Sequence, residues 1–154
     1  MLGHRGLTRG LAGFSLVELL VLLVVVGALF SLSLPAFMSY YKSAHVRAAA
    51  SVIAAYLNQG RQLAIHQNQR VCVHIASTAM HYALGSCAGT AWVGPGTDAA
   101  GNIPAPGGIA LTTTADPVFT NLGAAAPAAT VTVTHGSASL SVIVSASGRV
   151  IVGR

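Results

Sequence analysis

Residues 46–84 read VRAAASVIAAYLNQGRQLAIHQNQRVCVHIASTAMHYAL, and the spacing of their apolar positions changes once, near Asn68. Before that point Val46, Ala50, Ile53, Leu57, Gly60 and Ala64 recur at alternating intervals of four and three residues, which aligns them along one face of an α-helix. After it, Val71, Val73 and Ile75 alternate with Cys72 and His74, and Met80, Tyr82 and Leu84 alternate with His81 and Ala83. That is the two-residue period of half-buried strands, with Ser77 and Thr78 placed to turn a hairpin between them. The stretch predicts a helix that lays a stripe of small and apolar residues on an antiparallel hairpin, the small side chains permitting close approach.

Working downstream, residues 109–113 predict another strand, residues 131–134 and 140–144 flank a His135-Gly136-Ser137 turn, and residues 149–152 add an end strand after Ser147-Gly148. Residues 94–108 read as a loop rich in Gly and Pro, and residues 124–129 as a second Pro-containing connection. The expected fold class is α+β, with one long helix followed by one antiparallel sheet.

Upstream, residues 19–34 carry no charge, and residues 14–37 make an apolar stretch of about 24 residues, enough at about 1.5 Å per residue to cross about 30 Å of hydrocarbon. Arg5 and Arg9 precede it, so the expectation is a single membrane-spanning helix with the N-terminus in the cytoplasm and the bulk of the chain outside. No proline lies between Pro35 and His66, so the helix is expected to run on to about Gln67, with Pro35 as the place for a bend. A cleavable secretory signal fits poorly, because Leu34 stands where a small residue is needed before a cut at Ala36. Glu18 also sits almost inside the apolar run, where an unpaired carboxylate costs up to about 3 kcal/mol and calls for a partner.

Only 7% of the 154 residues are charged and 53% are hydrophobic, which argues against both an ordinary soluble globule and a disordered tail. The formal charge of +5 includes Arg5 and Arg9, and the remaining cations are scattered rather than clustered into a nucleic-acid surface. The six histidines are scattered too. His74 and His81 flank the hairpin turn and can approach across it, but with no carboxylate or cysteine at short metal-ligand spacing they read as surface histidines. No metal or other cofactor is expected. Ser145 and Ser147 with His135, or His74 with Cys72, are local groupings without an orienting carboxylate in a supporting motif, so no catalytic residue is assigned.

The string Gly13-Phe14-Ser15-Leu16-Val17-Glu18, after a short basic leader and before the apolar run and Pro35, resembles the prepilin signal of type IV pilins and type II secretion pseudopilins. The resemblance implies a leader over residues 1–13, cleavage between Gly13 and Phe14 by a prepilin peptidase, and N-methylation of Phe14. It implies that residues 14–37 are an assembly helix as well as an anchor in the inner membrane, bent at Pro35, and that residues 38–154 form a periplasmic domain. In it the Glu18 carboxylate pairs with the Phe14 ammonium of an adjacent subunit. A narrower resemblance, to the H-type minor pseudopilins and the related FimT-type minor pilins, rests on residues 54–65, on Arg70-Val71-Cys72-Val73 and on Ser147-Gly148-Arg149-Val150.

That family implies a pilin-like fold and a non-enzymatic subunit, at or near a pseudopilus tip, that assists protein export. Its implied partners are the prepilin peptidase, other minor and major pseudopilins or pilins, and an inner-membrane assembly platform. The alternative is a FimT-type minor pilin that takes part in pilus assembly or DNA uptake, with Arg149 and Arg154 meeting phosphate. Cys72 and Cys87, the two cysteines, would lie where a disulfide persists; a bridge closes a loop of about 15 residues and is worth roughly 3 kcal/mol. Two free buried thiols are the other possibility.

Overall fold

In the computed structural model the described residues are 14–153, with side chains described throughout except at 32–36. The chain divides into two units, Met1–Met38 and Ser39–Arg154. Helix α1 runs Leu16–His66, 51 residues, and belongs to both.

In the first unit the large apolar side chains of α1 are exposed, from Leu16 at 80% to Phe30 at 65%, and the Ser31 hydroxyl returns to the Ala28 carbonyl at 2.9 Å. Side chains are described on sixteen consecutive helical residues here, Leu16 to Ser31, about 24 Å of helix against about 30 Å of hydrocarbon. Among the described residues no helix is long and apolar enough to cross a membrane. This corrects the expectation of a long N-terminal transmembrane helix over 14–37, and with it the single-pass inner-membrane topology; the α+β class is unaffected.

In the second unit the helical stripe is the part of α1 that disappears from solvent. Val46, Ala49, Ala50, Ile53, Leu57 and Ala64 are all at most 3% exposed. Among the described residues nine strands follow: β1 Val71–Ile75, β2 Ala79–Leu84, β3 Thr90–Ala91, β4 Asn102–Pro104, β5 Ala110–Thr113, β6 Val118–Phe119, β7 Ala129–His135, β8 Ala138–Val144 and β9 Val150–Val152. The β1–β2 hairpin pairs Val73 with Tyr82 and His74 with His81. Its inner face, Val71, Val73, Ile75, Met80 and Tyr82, joins the helical stripe in one buried cluster. Gly60 marks the closest approach: a Cβ there would stand 2.7 Å from Val73 Cγ2 and 3.1 Å from Tyr82 Cε1. The buried Tyr82 hydroxyl donates to the Tyr56 carbonyl at 2.8 Å, and burial raises its pKa.

The strands form two sheets, where the alternation pattern suggested one. β6, β1 and β2 lie side by side, with β3 and β4 sharing the far edge of β2. β5, β7, β8 and β9 make a separate four-stranded sheet in that order. The break falls where the chain leaves β5. Pro117 has no N–H, its carbonyl accepts from Val73 N at 3.0 Å, and the Asp116 carboxylate takes Ile75 N at 3.1 Å, so a short irregular segment caps the edge of β1. A second correction concerns residues 94–108, which hold β4 inside the expected loop. At two or three residues, β3, β4 and β6 are too short to display a period.

Candidate functional site

Arg61 follows Gly60 on α1, and two loops from distant parts of the chain meet against its guanidinium. Gly123 closes a turn by donating to the Thr120 carbonyl at 2.8 Å, and Gly148 closes another by donating to the Ser145 carbonyl at 2.8 Å. Ala125 N donates to the Ala146 carbonyl at 3.0 Å and ties the loops together. Both glycines are left-handed, at φ +81° and +76°. A Cβ on Gly123 would lie 2.9 Å from Arg61 Nε, and one on Gly148 would lie 3.3 Å from the same atom. The guanidinium therefore packs on bare backbone, and its Nε is buried without a hydrogen-bond partner. The helix segment 54–65 and the block 147–150, about ninety residues apart in sequence, adjoin at this point.

The same loop presents Arg149. Its backbone is held by Ser145, whose hydroxyl accepts from Arg149 N at 3.2 Å and donates to the Arg149 carbonyl at 3.1 Å, while the residue as a whole is exposed. Arg154 and Gly13 lie outside the described residues, as does the Pro35 side chain. Phe14 is 75% exposed, and Glu18 is exposed on the first turn of α1. Arg47 lines an open groove of about 440 Å³ with Leu140, Val152 and Gly153.

On the outer face of the hairpin Cys72 and Cys87 are joined in a disulfide across a separation of 15 residues. Asp116 brings a carboxylate within 4.8 Å of both sulfurs, but the bridge occupies them and leaves no thiolate to ligate a metal. Its Oδ2 instead accepts from His74 Nδ1 at 2.6 Å. The His81 ring lies across from His74 with a centroid separation of 4.8 Å. Strand alternation allowed the two imidazoles to meet; it contained no signal for Asp116, which is 42 residues from His74 in sequence.

Burial, then the neighbouring His74, lower the pKa of His81 below 6.5, with Asp116 opposing. The unfolded chain therefore takes up this proton first as pH falls, and the His81 contribution to stability should be lost on acidification from about 6.5 downward. Urea unfolding at pH 7.5 and 5.5 should show a smaller acid loss in His81→Asn than in wild type.

None of these groups makes a nucleophilic site. His74 is oriented by Asp116 as a general base is, but its other neighbour is an imidazole rather than a hydroxyl or thiol. The Ser145 and Ser147 hydroxyls bond each other at 2.9 Å, and His135 Nδ1 bonds the Gly108 carbonyl at 2.7 Å.

A family model described as type II transport protein GspH matches residues 49–148. No curated protein sequence gives a significant match. Among solved structures, the minor pseudopilin EpsH from the type II secretion system of Vibrio cholerae is similar with a TM-score of 0.57 at 12% identity, covering 72% of this chain and 94% of that one. The type IV minor pilin FimU of Pseudomonas aeruginosa is similar with a TM-score of 0.55 at 14% identity, covering 75% and 92%. At these identities the likeness is one of fold, shared by a pseudopilin and a pilin alike.

Proposed function

Since this chain belongs to the GspH family of type II transport proteins, a family of minor pseudopilins and pilins, we propose that its assembly is a secretion pseudopilus and that it assists protein export from at or near the tip. The chain is a non-enzymatic subunit of a type II secretion- or pilus-like system. The observation that supports an assembly role beyond family membership is the first stretch of α1, where successive Leu, Val and Phe side chains from Leu16 to Phe30 are about half or more exposed. An apolar surface of that extent marks a site of association, and the proposed cover is the corresponding helix of neighbouring subunits.

In this reading a prepilin peptidase removes residues 1–13, cutting between Gly13 and Phe14 and methylating Phe14. Glu18 then pairs with the Phe14 ammonium of the next subunit, which makes the apolar contact specific in register. The assembly partners are other minor and major pseudopilins and the platform that extrudes them. The DNA-uptake alternative leans on Arg149 with Arg154. One exposed arginine beside the last strand is a weak phosphate site, which favours secretion.

The test is deletion and complementation in a cell that has both systems. Deletion should reduce export of secreted proteins several-fold and leave DNA uptake unchanged; wild type should restore export, and Glu18→Ala, at matched level, should not. Loss of DNA uptake with export intact would assign the chain to a pilus instead.

A further inference from the structure

On the outer face of the hairpin sheet, away from the core, four polar residues form a row across the strands. Asp116 is bonded to His74, His74 is the register partner of His81, and His81 is the register partner of Asn102. We propose that His74 and His81 are the protein ligands of a divalent transition-metal site, of the chemistry zinc takes, with Asp116 as the residue that positions His74.

The two rings stand on adjacent strands at 4.8 Å between centroids, tilted by 47°. Two imidazole nitrogens on one zinc are each about 2.0–2.1 Å from it, and so about 3.4 Å apart in a tetrahedral shell. Facing rings at this spacing reach that separation by side-chain rotation without moving either strand.

Asp116 adds the feature that separates a ligand from an ordinary surface histidine. Its carboxylate is held by the backbone through Ile75 N at 3.1 Å and accepts the Nδ1 proton of His74 at 2.6 Å. That bond puts the lone pair of His74 on Nε2, the arrangement by which a carboxylate orients a metal-binding imidazole. The His74 side chain is 43% exposed, so an ion has a path and water can complete its shell. Intermediate polarity and nitrogen donors suit zinc, copper or nickel better than calcium or magnesium.

The molecule supplies its own control. His45 and His135 also lie 4.8 Å apart, but there His135 Nδ1 bonds a backbone carbonyl, and Lys42 comes to 3.8 Å of the position a Cβ on Gly136 would take. A second imidazole pair is present without a carboxylate and with an ammonium nearby, which repels a divalent cation.

Calorimetric titration of the full chain with zinc chloride, disulfide intact and without reductant, tests the site. Keeping the bridge closed matters, because the freed thiolates would ligate zinc beside Asp116. The expected result is one zinc per chain with micromolar affinity, weakened at least tenfold by His74→Asn or His81→Asn, several-fold by Asp116→Asn, and unchanged by His45→Asn. In wild type, zinc should shift the ring resonances of two of the six histidines, a readout that needs no variant to fold. Absence of binding at millimolar zinc, binding retained in the His74→Asn/His81→Asn double variant, or shifts confined to other histidines would overturn the proposal.

Discussion

Gly148→Ala is expected to destabilise the folded domain by about 2–5 kcal/mol, a large loss for one added methyl group. Two costs combine. The residue sits at φ +76°, in the left-handed region where a Cβ costs about 1–2 kcal/mol. The methyl group would also be driven into the Gly123 carbonyl oxygen, a backbone atom that cannot rotate away, and overpacking of that kind adds about 1–3 kcal/mol. Relief requires the 145–149 loop to lift off the 120–124 loop, breaking the Ala125–Ala146 hydrogen bond and unseating Arg61. Gly107→Ala is the matched control, since nothing lies within 4 Å of its added Cβ, and its effect should stay within about 0.5 kcal/mol. Urea unfolding should show a lower midpoint for Gly148→Ala at an unchanged slope. A loss under about 1 kcal/mol would mean that the two loops do not meet at Gly148.

Gly60→Leu should cost about 3 kcal/mol for a different reason. Gly60 is helical, so no backbone strain is involved, and alanine or leucine there gains up to about 1 kcal/mol of helix propensity. Against that gain, the first added carbon already crowds Val73 Cγ2 at 2.7 Å and Tyr82 Cε1 at 3.1 Å, and leucine adds three more in a closed interface. Both neighbours are fully buried and Tyr82 is anchored by its hydroxyl, so they yield little. Gly60→Ala falls between, its propensity gain nearly offset by the crowding. Chemical denaturation of the three proteins should order them wild type and Ala close together, Leu far below. A Leu variant as stable as wild type would show that the helix does not touch the hairpin at residue 60.

The helix stripe and the strand runs were legible because both are local periodicities. Val46, Ala50, Ile53, Leu57, Gly60 and Ala64 are all buried, and the hairpin turns at Ser77-Thr78 in the register that alternation implies. The site was less legible because its contacts are long-range. Nothing near Arg61 announces that glycines at 123 and 148 will lie against it, and nothing near His74 announces Asp116. Conversely, a strong local signal exceeded what the fold supports at residues 14–37, where apolar composition suggested a membrane span and the described helix is not long and apolar enough to cross one.

By itself, the sequence determined which faces are buried. A period of 3.6 or 2 residues records the direction of every side chain relative to a core, and residues 46–84 carry both periods. The tertiary structure alone decided which strand lies beside which. Leu111 pairs with Val133 in one sheet while Val71 pairs with Phe119 in the other, although all four are buried apolar residues that alternation treats alike. That choice depends on backbone N–H and C=O groups, which every residue shares except that proline lacks the N–H. The division into two sheets, the seat of Arg61 and the Asp116–His74–His81 row arise when the whole chain satisfies those groups at once.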